Sequence, residues 1–170
     1  AQGGLAHDVR RSCAGLMAIL RSDTSSQLIE RLRWSESDAA ESCRRAASVI
    51  TGDPLTRGAV FAFALEHDEQ AAAWEAITHA RARAPSRRPK SELAWDERTA
   101  ASPLAALGLL RKQAEIGVRQ LGEAMERLPP SLGAVARAHR NTWLRHRAYL
   151  GARLAAFERL AMERPSSAPA

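Results

Sequence analysis

Apolar residues recur at helical spacing along most of the chain. Leu28, Leu32, Ala39, Cys43, Ala46 and Ile50 follow one another at steps of three, four or seven, as the buried stripe of an amphipathic helix does. The same rhythm returns in Val60, Phe63, Ala64, Ala71, Trp74 and Ile77. It returns again in Leu104, Leu107, Leu110, Ala114, Val118, Leu121 and Met125, and a fourth time in Leu132, Val135, Trp143, Leu150, Leu154, Phe157 and Ala161. A shorter set, Leu5, Val9, Cys13, Leu16 and Leu20, comes first. The pattern predicts an all-α chain: a short leading helix over residues 5–21, then four long helices over about 25–50, 54–83, 103–127 and 131–163.

The interruptions between these stripes carry helix-ending chemistry. Ser22, Asp23 and Thr24 offer capping side chains between the short helix and the first long one. Thr51-Gly52-Asp53-Pro54 combines a C-terminal glycine, a capping aspartate and a proline at a first helical position. Ser102-Pro103 repeats the cap and proline, and Leu128-Pro129-Pro130-Ser131 forms the last turn. Tight turns make their flanking helices antiparallel neighbours. Pro85 and Pro89 end the second long helix, and the stretch to Ala101 is the longest connection. It suits a crossover between two helical hairpins, with Leu93 and Trp95 pinning it to the bundle. The expected architecture is an up-and-down four-helix bundle over residues 25–163, preceded by a tail and short helix (1–24) and followed by a tail (164–170).

Composition agrees with this picture. The 170 residues suit one domain, and 45% are hydrophobic but only 5% aromatic, which favours Ala-rich helix packing over a β-sandwich. The net charge is +6, carried almost entirely by arginine, since Lys90 and Lys112 are the only lysines. A GC-rich genome produces the same bias. Cys13 and Cys43 stand in no metal-ligand spacing and read as two buried thiols, with a structural pair as the alternative. No apolar run approaches the roughly 20 residues of a membrane span. Cytoplasm is the expected compartment. The start at Ala1 and Gln2 leaves the periplasm open as the alternative, after removal of a leader.

No phosphate-binding glycine loop, GxSxG, HExxH or Cys/His zinc spacing occurs, so hydrolase, kinase and dinucleotide readings have no support. The basic stretch from Arg81 to Lys90 lacks interleaved aromatics for base stacking, which makes nucleic acid an unfavoured partner. A protein partner or self-association is the expectation instead.

The candidate chemistry lies where polar residues break the stripes. Glu36 stands between Leu32 and Ala39, and His67, beside Glu66, stands between Phe63 and Ala71. His139 and His146 fall seven apart between Val135 and Leu150, and Glu115 flanks the third stripe. Glu36 and His67 lie about equally far from the first turn, and Glu115 and the two later histidines lie at comparable distances from the last. At ~1.5 Å per residue, each hairpin delivers a carboxylate and an imidazole to mid-bundle. Such groups are costly to bury unless paired or metal-bound. One reading is a set of internal hydrogen bonds that fixes register. The other is a transition-metal site, for iron or zinc, drawn from Glu36, Glu66, His67, Glu115, His139 and His146.

Gln27-Leu28-Ile29-Glu30, Asp53-Pro54, Leu128-Pro129-Pro130 and the second helix around Ala64 to Trp74 give the chain, over Ser25 to Phe157, a resemblance to the ferritin-like superfamily. It looks closest to that superfamily's small bacterial four-helix branch of unknown function. The dimetal enzymes of that superfamily carry Glu-x-x-His on two helices, and this chain has no such motif. The resemblance therefore implies a bundle that has lost or rebuilt the site. The expected function is that of a non-enzymatic bundle, stress-related or serving in assembly and interaction, with no cofactor. The alternative is a metal-binding or metal-dependent redox protein with a variant Glu/His centre.

Overall fold

Among the described residues four helices follow in order: α1 over Gly4–Val49, α2 over Pro54–Ala80, α3 over Pro103–Arg127 and α4 over Pro130–Glu163. This is a computed structural model. It describes residues 4–80, 95, 99 and 101–163, with side chains for 25–79, 95, 99 and 101–160. No strand occurs among the described residues.

The helix starts rest on local chemistry that the sequence displays. Asp53 caps α2: its carboxylate accepts from the Thr56 backbone N–H at 3.0 Å and from Thr56 Oγ1 at 2.6 Å. Arg153, near the far end of α4, also pairs with Asp53, so the cap ties the two helices together. Those Thr56 bonds, together with Arg153, hold the Asp53 carboxyl below its ordinary pKa. Ser102 leaves the helical region (φ −132°, ψ 119°) and accepts from Ala105 N at 3.3 Å, with Pro103 following. Leu128, extended at ψ 152°, closes α3 before the two prolines.

One expected boundary is absent. The backbone is helical from Gly4 to Val49 without interruption, so no separate short helix ends at Ser22-Asp23-Thr24. Ser, Asp and Thr cap a helix only where the backbone departs from helical angles. Within a continuous helix they cost little more than a few tenths of a kcal/mol each in propensity. Arg81–Lys90 and Leu93 lie outside the described residues, and α2 is described to Ala80. Trp95 is half-buried and packs against the core.

The direction of each helix follows from which ends meet. Ile50, at the end of α1, and Val60, early in α2, share a cluster with Ala106 and Leu107 early in α3 and with Leu150 and Leu154 late in α4. At the other end Leu28, Ile29 and Leu32 pack with Leu121, Leu128 and Ala136. α1 and α4 therefore run one way, and α2 and α3 the other. The order is up-down-down-up, not strict alternation, and the connection between Ala80 and Pro103 joins opposite ends of the bundle. α1 lies against α2 and α3, and α4 lies against α3 and touches α2. Ser35 Oγ donates to Gln120 Oε1 at 3.0 Å across the α1–α3 seam. The two clusters meet at mid-height, beside Ala39 and Cys43.

Candidate functional site

Four of the six sequence candidates are buried at that junction. Glu36 on α1 is 1% exposed, His67 on α2 2%, and His146 on α4 1%; His139 is also buried. Each sits on its helix's inward stripe. His67 is seven residues past Val60 and seven before Trp74, and His146 lies three past Trp143 and four before Leu150.

Glu36 is an acceptor clamped by donors from two other helices. His67 Nδ1 lies 2.7 Å from Glu36 Oε2, and the Trp143 indole N–H donates to Oε1 at 3.0 Å. Gln70, with its amide turned as its neighbours require, donates to both carboxylate oxygens at 3.1 Å and accepts from Thr142 Oγ1 at 3.1 Å. One carboxylate on α1 thus joins α2 and α4, and its hydrogen bonds offset the cost of burying its charge.

The chain continues past His67. His67 Nε2 lies 3.2 Å from His146 Nδ1, and His146 Nε2 lies 2.8 Å from Glu66 Oε2. Arg145 donates to the same Glu66 oxygen at 2.7 Å. Glu66 is half-exposed, so the series Glu36–His67–His146–Glu66 runs from the core to the surface. Phe63 stacks on the His146 ring with centroids 3.8 Å apart, and the His67 ring lies 4.3 Å from that of Trp143. Burial, reinforced by the neighbouring His67, pushes the His146 pKa down to about 4 against the pull of Glu66. His139 is likewise lowered, mainly by burial and against the attraction of Glu36. Its ring meets Trp74 edge-on. Its Nδ1 stands 3.7 Å from Glu36 Oε1, beyond a direct hydrogen bond, and finds no hydrogen-bond partner among the described residues.

Glu115 does not join this layer. It is exposed and pairs with Arg111 one turn earlier, at 3.4 Å. One residue past Ala114 turns the helix by about 100°, which carries Glu115 off the inward stripe. The inward positions there are Gln113, Ala114 and Gly117.

Three participants escaped the sequence reading. Gln70 and Thr142 complete the clamp around Glu36, and Trp143 figured there only as a stripe residue. Gly117 on α3 makes room for the Trp143 ring: a Cβ there would lie 2.6 Å from an indole carbon. A glycine in a helix interior, which costs roughly 1 kcal/mol against alanine, was the available signal.

The donors fit one another better than they fit a metal. A tetrahedral ion with ligands at 2.0–2.1 Å separates its ligand atoms by about 3.3 Å, wider than the 2.7 Å between Glu36 and His67 or the 2.8 Å between His146 and Glu66. Among the described residues no group of three or more His, Cys, Asp or Glu side chains is placed to hold an ion. A cavity of about 10 Å³ beside the layer, lined by Ala39, Cys43, Phe63, His67, Gln113 and Trp143 among others, is water-sized. Burial raises the Cys43 thiol to about 12, which leaves it protonated and unreactive. Cys13's side chain is outside the described set. No described helix is long and apolar enough to cross a membrane.

No family model matches the chain, and neither a curated protein nor a solved structure matches it.

Proposed function

We propose that this protein is a non-enzymatic helical bundle that works through its surfaces, as a stress-related or assembly subunit, with the mid-bundle Glu/His layer setting the register of its helices. The observation that carries this reading is the clamp on Glu36. His67, Gln70 and Trp143 all direct hydrogen bonds at one buried carboxylate, so the layer's polarity is spent on holding α1, α2 and α4 together. A ferritin-like relationship is part of the proposal. It is supported by the order of helix directions and by the single long connection between α2 and α3, an arrangement that ferritin-like bundles use.

The test is a thermal unfolding series on tag-free protein stripped of metal with a chelator, then supplied with Fe²⁺ or Zn²⁺. A ligand that binds the folded state raises the unfolding temperature in proportion to RT ln(1 + [L]/Kd). The proposal expects no rise with either ion. A concentration-dependent rise that disappears in His67→Ala would instead make the layer a metal centre and the protein a metal-binding one.

A further inference from the structure

Glu36, His67, His146 and Glu66 make three successive polar contacts, of 2.7, 3.2 and 2.8 Å. Each contact needs one hydrogen between its two heavy atoms. Two carboxylates supply none, and two neutral imidazoles supply one each. Three contacts therefore need three N–H groups, one more than two neutral rings provide. The third proton has no place on the carboxylates. Glu36 already faces the donors of His67, Gln70 and Trp143, and the Glu66 oxygen in question also receives the Arg145 guanidinium. It belongs to the imidazole pair.

We infer that this chain is a proton-counting latch, which joins α1, α2 and α4 fully only while His67 and His146 together carry three ring protons. In that state the four residues hold two negative charges and one positive. Arg145 brings the local sum to zero, which suits a chain whose Glu36, His67 and His146 members are buried. Acid adds a fourth proton. Both rings are then doubly protonated, and the 3.2 Å contact between His67 Nε2 and His146 Nδ1 becomes donor against donor. That contact joins α2 to α4 beside the His146–Glu66 and Arg145–Glu66 contacts between the same helices, so acid breaks the chain there first. Removing the third proton leaves one of the three contacts without a hydrogen. When both carboxylates keep their N–H donors, two ring lone pairs face each other across the 3.2 Å contact, so alkali weakens the chain as well.

The groups around the pair are consistent with this assignment. α1 presents Glu36 and the protonated Cys43 thiol. α2 presents Glu66, Gln70 and the Phe63 ring. α4 presents His139, Trp143 and Arg145. α3 presents Gln113 and apolar side chains at the adjoining cavity. Burial keeps His146 neutral above about pH 4, and His67 stands between Glu36 and His146, in contact with both.

Imidazole ¹⁵N shifts read the count directly. In the wild-type chain at pH 7, three of the four ring nitrogens of His67 and His146 should be protonated and one bare. Glu66→Gln is the deciding variant. A glutamine amide can donate to His146 Nε2, so the chain closes with two ring protons. Because Glu66 is half-exposed, that variant should remain folded. The protonated count should fall from three to two, and the acid-induced change in the ring signals should move to lower pH. Two bare nitrogens in the wild type, or a count of three that survives in folded Glu66→Gln, would overturn the inference.

Discussion

The Trp143 indole on α4 reaches past the backbone of Gly117 on α3 to donate its N–H to Glu36 on α1. One side chain thus packs on one helix and bonds to another. Its geometry depends on a missing Cβ in α3 and on a carboxylate in α1, residues 81 positions apart in sequence. The arrangement yields separate expectations for each participant.

Gly117→Ala should destabilise the protein although alanine is the better helix former. The propensity gain is about 1 kcal/mol. The added methyl carbon, however, would sit 2.6–2.8 Å from three indole carbons of a ring buried on all sides. Overpacking of this kind costs typically 1–3 kcal/mol, and the ring's displacement would also lengthen the bond to Glu36. Equilibrium urea unfolding should show a net loss of stability. A net gain in stability would mean that the seam between α3 and α4 is looser than described.

Trp74→Ala should cost on the order of 3–5 kcal/mol, as large-to-small changes do at filled sites. Trp74 is fully buried and packs edge-on against His139, in a chain with few aromatics. Denaturant midpoints of the two proteins settle this, and a change below about 1 kcal/mol would place that face of α2 outside the core.

Stability should fall as pH drops from about 6.5 toward 4. His139 and His146 have folded-state pKa values below the ordinary 6.5, so the unfolded chain binds protons that the folded chain refuses. The stability they confer is present above pH 6.5 and is lost as pH falls toward the folded value, about 4 for His146. The loss from His146 is on the order of 2–3 kcal/mol. His146→Phe, which keeps a ring beside Phe63, should flatten this acid limb. An unchanged slope in that variant would assign the acid sensitivity elsewhere.

What the sequence made legible was what local chemistry or simple periodicity determines. Asp53-Pro54 and Ser102-Pro103 mark helix starts because the capping bond spans only three residues. Glu36 and His67 could be paired because each breaks an apolar stripe at a similar distance from one tight turn, and they meet at 2.7 Å. Glu115 satisfied the same height argument but not the rotational one, because one residue past the inward Ala114 already turns the helix by about 100°. The break at Ser22 to Thr24 rested on capping residues that a helix interior also tolerates. Gln70 and Thr142 were beyond reach, because their roles depend on which faces of α2 and α4 meet across the bundle, and Gly117 offered only the signal of a glycine in a helix interior. The parallel course of α2 and α3 was hidden for the same reason, since a long connection permits either direction.

The account centres on Glu36 as the acceptor that unites three helices, and equilibrium unfolding of Glu36→Leu at pH 7 tests it most directly. Leucine nearly matches the volume but accepts nothing, so His67, Gln70 and Trp143 would each retain a buried donor with no acceptor. Removing one partner from a buried charged network costs roughly 3–5 kcal/mol. The account predicts a loss of that size, with the variant's midpoint shifted to lower urea and its helical content retained at zero denaturant. A Glu36→Leu protein as stable as the wild type, or more so, would contradict it, because the carboxylate would then be dispensable to the packing of α1, α2 and α4.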